Sequence, residues 1–337
     1  LINQGSSCYM NSILQQLNNN YDFISIIINY DNKEERVDIK ELQRLLSFIH
    51  FSKLSYVNTI DFYESFCKLN NLEMNVQEDA SDFLSTLLMT LPESIQSLFK
   101  IKIKNTYISI KDQEVLSSNK EIIKALNIPL ERYNNLSDAL NDYGKPEVID
   151  FNLKGNLVKS NKIIEFKALP NYLIINLSRF KYSFGLGNKI DKYFEFPLEL
   201  EIKNNKYKLI GAVLHSGTLA NGHYISIIKY LDKWVCCNDS ICEYINEDNF
   251  LKLAFGGIEN QMNAYILFYH DVKAEIKTIS FDSLPIDVKD EICNINNQIL
   301  KINGLISDET CRFMVDIMNY DYFIKFLCRD FENNNKY

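Results

Sequence analysis

The chain has 337 residues, 46% apolar and 24% charged, the balance of a globular protein long enough to bury a large core. Its net charge of −8 argues against a nucleic-acid partner and favours one that is basic where it makes contact. No apolar run approaches a membrane span and no secretory signal opens the chain, so an intracellular protein, cytoplasmic or nuclear, with no membrane partner is expected. Leu1 stands where a Met would begin a complete chain, which points to a segment of a longer polypeptide.

In chain order, "GSSCYMNSILQQL" (residues 5–17) reads as a polar turn followed by an amphipathic helix. Met10, Ile13, Leu14 and Leu17 recur at the spacing of one buried face, and the serines before them offer a hydroxyl cap. Cys8 then sits at the helix N-terminus, where aligned peptide dipoles favour a thiolate. The same residue reads equally as a small apolar core side chain, the usual fate of a free cysteine. Residues 9–98 are expected to be mostly helical, with Asn-rich breaks such as Asn18 to Asn20. The clearest helix is Val76 to Leu91, with an apolar arc of Ala80, Phe83, Leu84, Leu87, Leu88 and Leu91.

From Lys100 the pattern changes to the polar–apolar alternation of a half-buried strand in "KIKIKNTYISI". "NLSDALNDY" reads as a short helix capped by Ser137. Strands are expected in "VIDFNL", "KIIEFKAL", "YLIINLSRFKY", "YKLIGAVLH", "HYISIIKYL", "KWVCCN" and "NAYILFYH", whose aromatic and β-branched content points to a substantial antiparallel sheet. After His270 the character turns helical again, in "LPIDVKDEICNINNQILKI" and "CRFMVDIMNYDYFIKFLCRDF". The expected organisation is an α+β domain over residues 1–272 and a helical extension over 273–337.

A nucleophilic Cys8 needs a base, and there are four histidines. His50 lies in an apolar helical stretch and His270 ends a strand, whereas His215 and His223 frame "HSGTLANGHY", two strand ends joined by a glycine-containing loop. His223 opens its strand beside that loop, a mounting that holds an imidazole while substrate enters. The next strand delivers Asn238 and Asp239 at its end, where either could fix the imidazole tautomer, or where "NDS" is simply a turn. Asn3 could offer an amide to an oxyanion beside the Cys8 N–H. The eight cysteines (Cys8, Cys67, Cys236, Cys237, Cys242, Cys293, Cys311 and Cys328) form no C-x-x-C pair, so neither a disulfide framework nor a thiolate zinc site is supported, and no metal or other cofactor is expected.

"LINQGSSCYMNSILQQL" resembles the Cys box of the ubiquitin-specific proteases, and "YKLIGAVLHSGTLANGHYISIIKYLDKWVCCNDSICEYI" resembles their His box. "QEDASDFLSTLLMTL", "LPNYLIINLSRFKY…KIDKYFEFPLEL" and "FGGIENQMNAYILFYH" resemble three further motifs in the family's order, so the likeness covers residues 1–270. The resemblance implies a papain-like fingers, palm and thumb fold that cleaves after the C-terminal glycine of ubiquitin, with ubiquitin and ubiquitinated proteins as partners. It matches Cys8 to the nucleophile, His223 to the general base, Asn3 to the oxyanion donor, Asn238 to the third triad member and Asp239 to the acid that follows. Gln77, Asp79, Asp82 and Tyr224 match positions that hold the ubiquitin tail. Two departures stand out. The fingers are short and lack the two zinc-binding C-x-x-C pairs of many relatives, and "CCND" replaces a more usual aromatic-plus-acid sequence. The alternatives are a catalytically inactive ubiquitin-binding module and a protease for another ubiquitin-like modifier.

Overall fold

The computed structural model describes residues 1–305 except 184–185, 219–221, 258–259 and 276. The N-terminal third is helical: α1 (Cys8–Asn18), α2 (Tyr21–Ile28), α3 (Val37–Phe51), α4 (Ile60–Asn70), α5 (Ala80–Thr90) and the single turn α6 (Glu93–Gln96). Asn19 closes α1 and Asn20 starts the next helix, its side chain accepting the Phe23 N–H to cap α2. The expected helix at Val76 begins later, at Ala80. Asp79 holds an extended backbone and accepts the Ser81 and Asp82 N–H groups, so it is the cap, and the three residues before it lie outside the helix.

A second layer follows: β1 (Ile101–Ser109), β2 (Val115–Ile123), β3 (Leu126–Ile128), α7 (Leu136–Asp142), β4 (Glu147–Leu153) and β5 (Asn156–Ala168). Four of these strands pair in the order β2-β1-β5-β4, a sheet whose Ile101, Ile103 and Phe166 reach the core. The cap of α7 is Asn135, which accepts the Asp138 N–H; the expected Ser137 lies inside the first turn. Asn135 wins because it holds the extended backbone of a capping position and its carboxamide reaches three residues on.

The remaining strands build the central sheet: β6 (Tyr172–Leu177), the hairpin β7 (Phe180–Ser183) and β8 (Leu186–Lys189), β9 (Glu199–Ile202), β10 (Asn205–Gly217), β11 (Gly222–Tyr230), β12 (Lys233–Asn238), β13 (Ile241–Ile245), then α8 (Glu247–Phe255) and β14 (Asn263–Asp271). Its order is β13-β12-β11-β10-β14-β6-β3, with β9 alongside β10 and β3 parallel to β6. Its inner strands β6, β10, β11 and β14 are largely buried on both faces, which is why they read as nearly continuous apolar runs. Alternate residues feed two cores. Ile174, Val213 and Ile266 join Met10, Ile13, Leu14 and Phe83 under the helices, while Ile175, Leu214 and Leu267 join Trp234 and Phe250 on the far side.

Helix α9 (Ile286–Leu305) follows. Leu284, Val288 and Ile292 belong to the helical lobe's core, and Arg44 of α3 pairs with Glu291. The expected helix over "CRFMVDIMNYDYFIKFLCRDF" lies outside the described residues. No helix among the described residues is long and apolar enough to cross a membrane.

One polar contact sets how α1 meets the sheet. The fully buried Gln16 carboxamide donates from Nε2 to the Ala212 carbonyl (3.0 Å), the Ile227 carbonyl (3.0 Å) and Ser226 Oγ (2.7 Å), straddling β10 and β11. It fits because residue 211 is glycine; a Cβ there would stand 2.0 Å from Gln16 Oε1. Gly211→Ala is therefore expected to lower unfolding free energy by roughly 1–3 kcal/mol, the usual cost of overpacking. Urea denaturation would read this as a lower midpoint with an unchanged slope.

Candidate active site

Cys8 is the first residue of α1, and the Ser7 carbonyl accepts the helix's opening bond from Asn11 N–H. First-turn N–H groups have no partner within a helix, so the positive end of α1 surrounds the Cys8 thiol. The expected hydroxyl cap is absent. Ser7 Oγ instead accepts the Gln4 N–H (2.8 Å) and donates to Asn3 Oδ1 (3.2 Å), holding the turn that brings Asn3 back toward the helix start.

His223 enters from β11 with its imidazole beside the Cys8 thiol. Its Nε2 lies 2.7 Å from Asn238 Oδ1, at the end of β12. An amide oxygen only accepts, so Nε2 carries a hydrogen, and Nδ1 is the ring nitrogen left for Cys8. The neighbouring Cys8, reinforced by Asn238, raises the His223 pKa to about 9 against the opposing effect of burial. The preceding residue must be glycine: a Cβ on Gly222 would stand 2.0 Å from Nε2 of His215. His215 is buried behind the site, beside Tyr224 and Phe180. Burial drives its pKa down to about 3, so it stays neutral next to His223.

Asp239 turns away from the imidazole. One carboxylate oxygen accepts Asn3 Nδ2 (2.9 Å), the other accepts Asn11 Nδ2 (3.1 Å), and its carbonyl accepts the Leu1 nitrogen (2.9 Å). Asn3 Oδ1 meanwhile accepts the Ser7 N–H (3.1 Å), so both ends of the Asn3 amide are fixed, and its second N–H remains to donate near the start of α1. Asn11 was missed by sequence reasoning. It is a polar residue on a helix read only for its apolar face, and its partner is 228 positions away.

The structure brings the four residues matched to the ubiquitin tail to the same side. Gln77 Nε2 donates to the Gly222 carbonyl (2.6 Å), tying the segment before α5 to the residue before His223. Asp79 Oδ1 caps α5, and Oδ2 accepts the hydroxyls of Tyr265 (2.7 Å) and Tyr224 (3.4 Å). Asp82 is exposed, and partial burial together with Asp79 raises its pKa. It opens on a groove of about 1290 Å³ whose lining includes Leu88 of α5, Asn105 of β1, Glu121 of β2 and Tyr143 after α7. Of the looped stretch before His223, residues 219–221 lie outside the described residues.

A buried-thiol helix, an imidazole on the neighbouring sheet and an amide behind it are the arrangement of papain-like cysteine hydrolases. The chain belongs to the ubiquitin carboxyl-terminal hydrolase family, which matches residues 1–269. It is similar to ubiquitin carboxyl-terminal hydrolase 7 of Caenorhabditis briggsae, 28% identical over 80% of this chain and 27% of that one. Ubiquitin carboxyl-terminal hydrolase 24 of Mus musculus is 26% identical over 81% of this chain and 14% of its own. Ubiquitin carboxyl-terminal hydrolase 5 of Schizosaccharomyces pombe is 27% identical over 87% and 30%. The chain thus spans less than a third of the length of these curated relatives.

Asp79 carries both a helix cap and the Tyr265 hydroxyl. Asp79→Ala should cost about 2–4 kcal/mol, a lost cap plus a buried phenol left without its acceptor. Thermal unfolding followed by circular dichroism would measure it, with Asp79→Asn retaining more of the cap and falling between.

Proposed function

We propose that this chain is a cysteine-dependent deubiquitinase that hydrolyses the peptide or isopeptide bond after the C-terminal glycine of ubiquitin. The observation that carries the reading is the line of neighbouring side chains from Cys8 through His223 to Asn238, met at the start of α1 by an Asn3 amide held on Asp239. His223 takes the Cys8 proton, and the imidazolium is stabilised by the thiolate on one side and the Asn238 oxygen on the other. The thiolate attacks the glycine carbonyl. The oxyanion that develops lies toward the free Asn3 N–H and the backbone N–H groups of the first helical turn. His223 then gives its proton to the departing amine, and water releases ubiquitin from the thioester by the reverse assignment of roles.

Asp239 acts through Asn3 rather than through the imidazole, since its carboxylate is spent on Asn3 and Asn11. Ubiquitin's tail carries two arginines ahead of its paired glycines, and the exposed Asp82 is the carboxylate available to one of them. Asp79 contributes by holding the hydroxyls of the buried Tyr224 and Tyr265 against the start of α5. The groove beyond α5 takes the globular body of ubiquitin.

Cys8→Ala should abolish hydrolysis of a fluorogenic ubiquitin C-terminal substrate and all labelling by ubiquitin carrying a C-terminal electrophile. Labelling of wild type by none of a panel of modifier probes would favour the inactive binding module. Labelling by a different ubiquitin-like probe would move the substrate. Asn3→Ala should lower kcat about 100- to 1,000-fold with little change in KM, because its amide meets charge present only in the transition state.

The active form pairs a thiolate with protonated His223, so activity falls as pH rises through the imidazolium pKa of about 9. Asn238 favours the charged ring, and removing it lowers that pKa. The alkaline limb of kcat/KM for Asn238→Ala should therefore shift to lower pH than wild type; an unmoved limb would mean that Asn238 does not hold the working imidazolium.

A further inference from the structure

The hairpin that carries Asn238 and Asp239 contains a second pair of thiols. Its two-residue turn, Asp239–Ser240, is closed by Asn238 opposite Ile241, with Asp239 at φ 51. The next pair inward is Cys237 opposite Cys242. The pair closing a two-residue turn exchanges backbone hydrogen bonds and the pattern alternates, so these cysteines occupy a non-hydrogen-bonded position with Cα atoms about 4.5 Å apart. A disulfide spans Cα separations of about 4.4–6.8 Å. Their side chains face each other across the hairpin, close enough that each shifts the other's titration. Cys242 is exposed and Cys237 buried beneath it, while Cys236 points to the other face opposite Glu243. The neighbouring Cys237 lowers the Cys242 pKa to about 7, and the same closeness holds Cys237 up.

We propose that Cys237 and Cys242 are a hydroperoxide-reactive dithiol, distinct from Cys8, that closes to a disulfide across the β12–β13 hairpin. In the first step the Cys242 thiolate attacks one peroxide oxygen. An S–O bond forms, the O–O bond breaks, and the departing oxygen leaves as water or, from an organic hydroperoxide, as an alcohol after taking a proton. Cys242 is now a sulfenic acid. Cys237 attacks its sulfur, the S–S bond forms, the S–O bond breaks, and the hydroxide leaves as water with the Cys237 proton. Two electrons pass from the thiol pair to the peroxide. The ring so closed contains Asn238 and Asp239, so oxidation staples the turn on which both stand.

The test uses the whole chain with Cys8→Ala, treated with hydrogen peroxide and alkylated without reduction. Cleavage before Asp239 by an Asp-specific protease separates the two cysteines into different peptides. The proposal expects these peptides to stay joined, with two hydrogens lost, and to part on adding dithiothreitol. Cys237→Ser should lose the cross-link completely and give one dimedone adduct per chain at Cys242, whereas Cys242→Ser should give neither product. Cross-linking of Cys242 to another cysteine or to a second chain would overturn the proposal. So would peroxide taking Cys242 to the sulfinic acid while Cys237 stays a thiol, or leaving both unreacted while Cys67 or Cys293 oxidises. The mapping on the Cys8→Ala chain decides the matter by itself if either serine variant fails to fold.

Discussion

The candidate site depends on how a helix is set down on a sheet. Cys8 belongs to α1 and His223 to β11, elements with more than two hundred residues between them, so the thiol–imidazole separation is fixed by packing and by nothing covalent. Apolar contact alone would let the helix slide, because burial is proportional to area and indifferent to direction. Gln16 removes that freedom. Its carboxamide reaches backbone carbonyls on both β10 and β11 in a fully buried position, where a misplaced amide would lose its partners at a cost of about 1–3 kcal/mol. Gly211 is the other half of the contact, since any side chain there would occupy the space of the amide.

At the other end of α1, Asp239 fixes the segment before the helix as Gln16 fixes the helix on the sheet. A single carboxylate accepts the amides of Asn3 and Asn11, so the segment before the helix, the helix and the end of β12 share one anchor. Adjacent residues on one turn are thereby divided in duty, Asn238 toward the imidazole and Asp239 toward Asn3. The split follows from the hairpin. Asn238 is the last residue in register, while Asp239 is the first turn residue, and its left-handed backbone swings the carboxylate off the sheet.

The large features were legible because burial leaves a pattern. The inner strands of the central sheet, covered on both faces, stand out as aromatic and β-branched runs, and the helices as apolar arcs. The motifs around Cys8 and His223 were readable for the same reason, each being a short stretch with its own local geometry. What escaped was structure with little burial or with distant partners. β2 is exposed along most of its length and β13 likewise, so neither carries an alternation to detect. The caps at Asn135 and Asp79 depend on which side chain the local backbone leaves extended, a choice that Ser137 or an earlier start to α5 satisfied equally well on paper. Asn11 and Gln16 look like ordinary polar positions on a helix until the strands that meet them are in place.

The position of β14 has a consequence for how the molecule comes into being. It is the last strand of the central sheet in the chain but lies in its middle, between β10 and β6. A ribosome emitting this polypeptide therefore releases both halves of the sheet before the piece that joins them. Helix α1 emerges before the strands it rests on, and its seat on β10 and β11 is made only some two hundred residues later. Such late, long-range closure is the kind of topology that folds slowly, because loop entropy is surrendered before the contacts that repay it exist. Until β11 and β12 emerge, the thiol at Cys8 has neither the His223 imidazole nor the Asn238 amide beside it. A nascent chain thus carries Cys8 without its folded surroundings until most of the domain has left the tunnel.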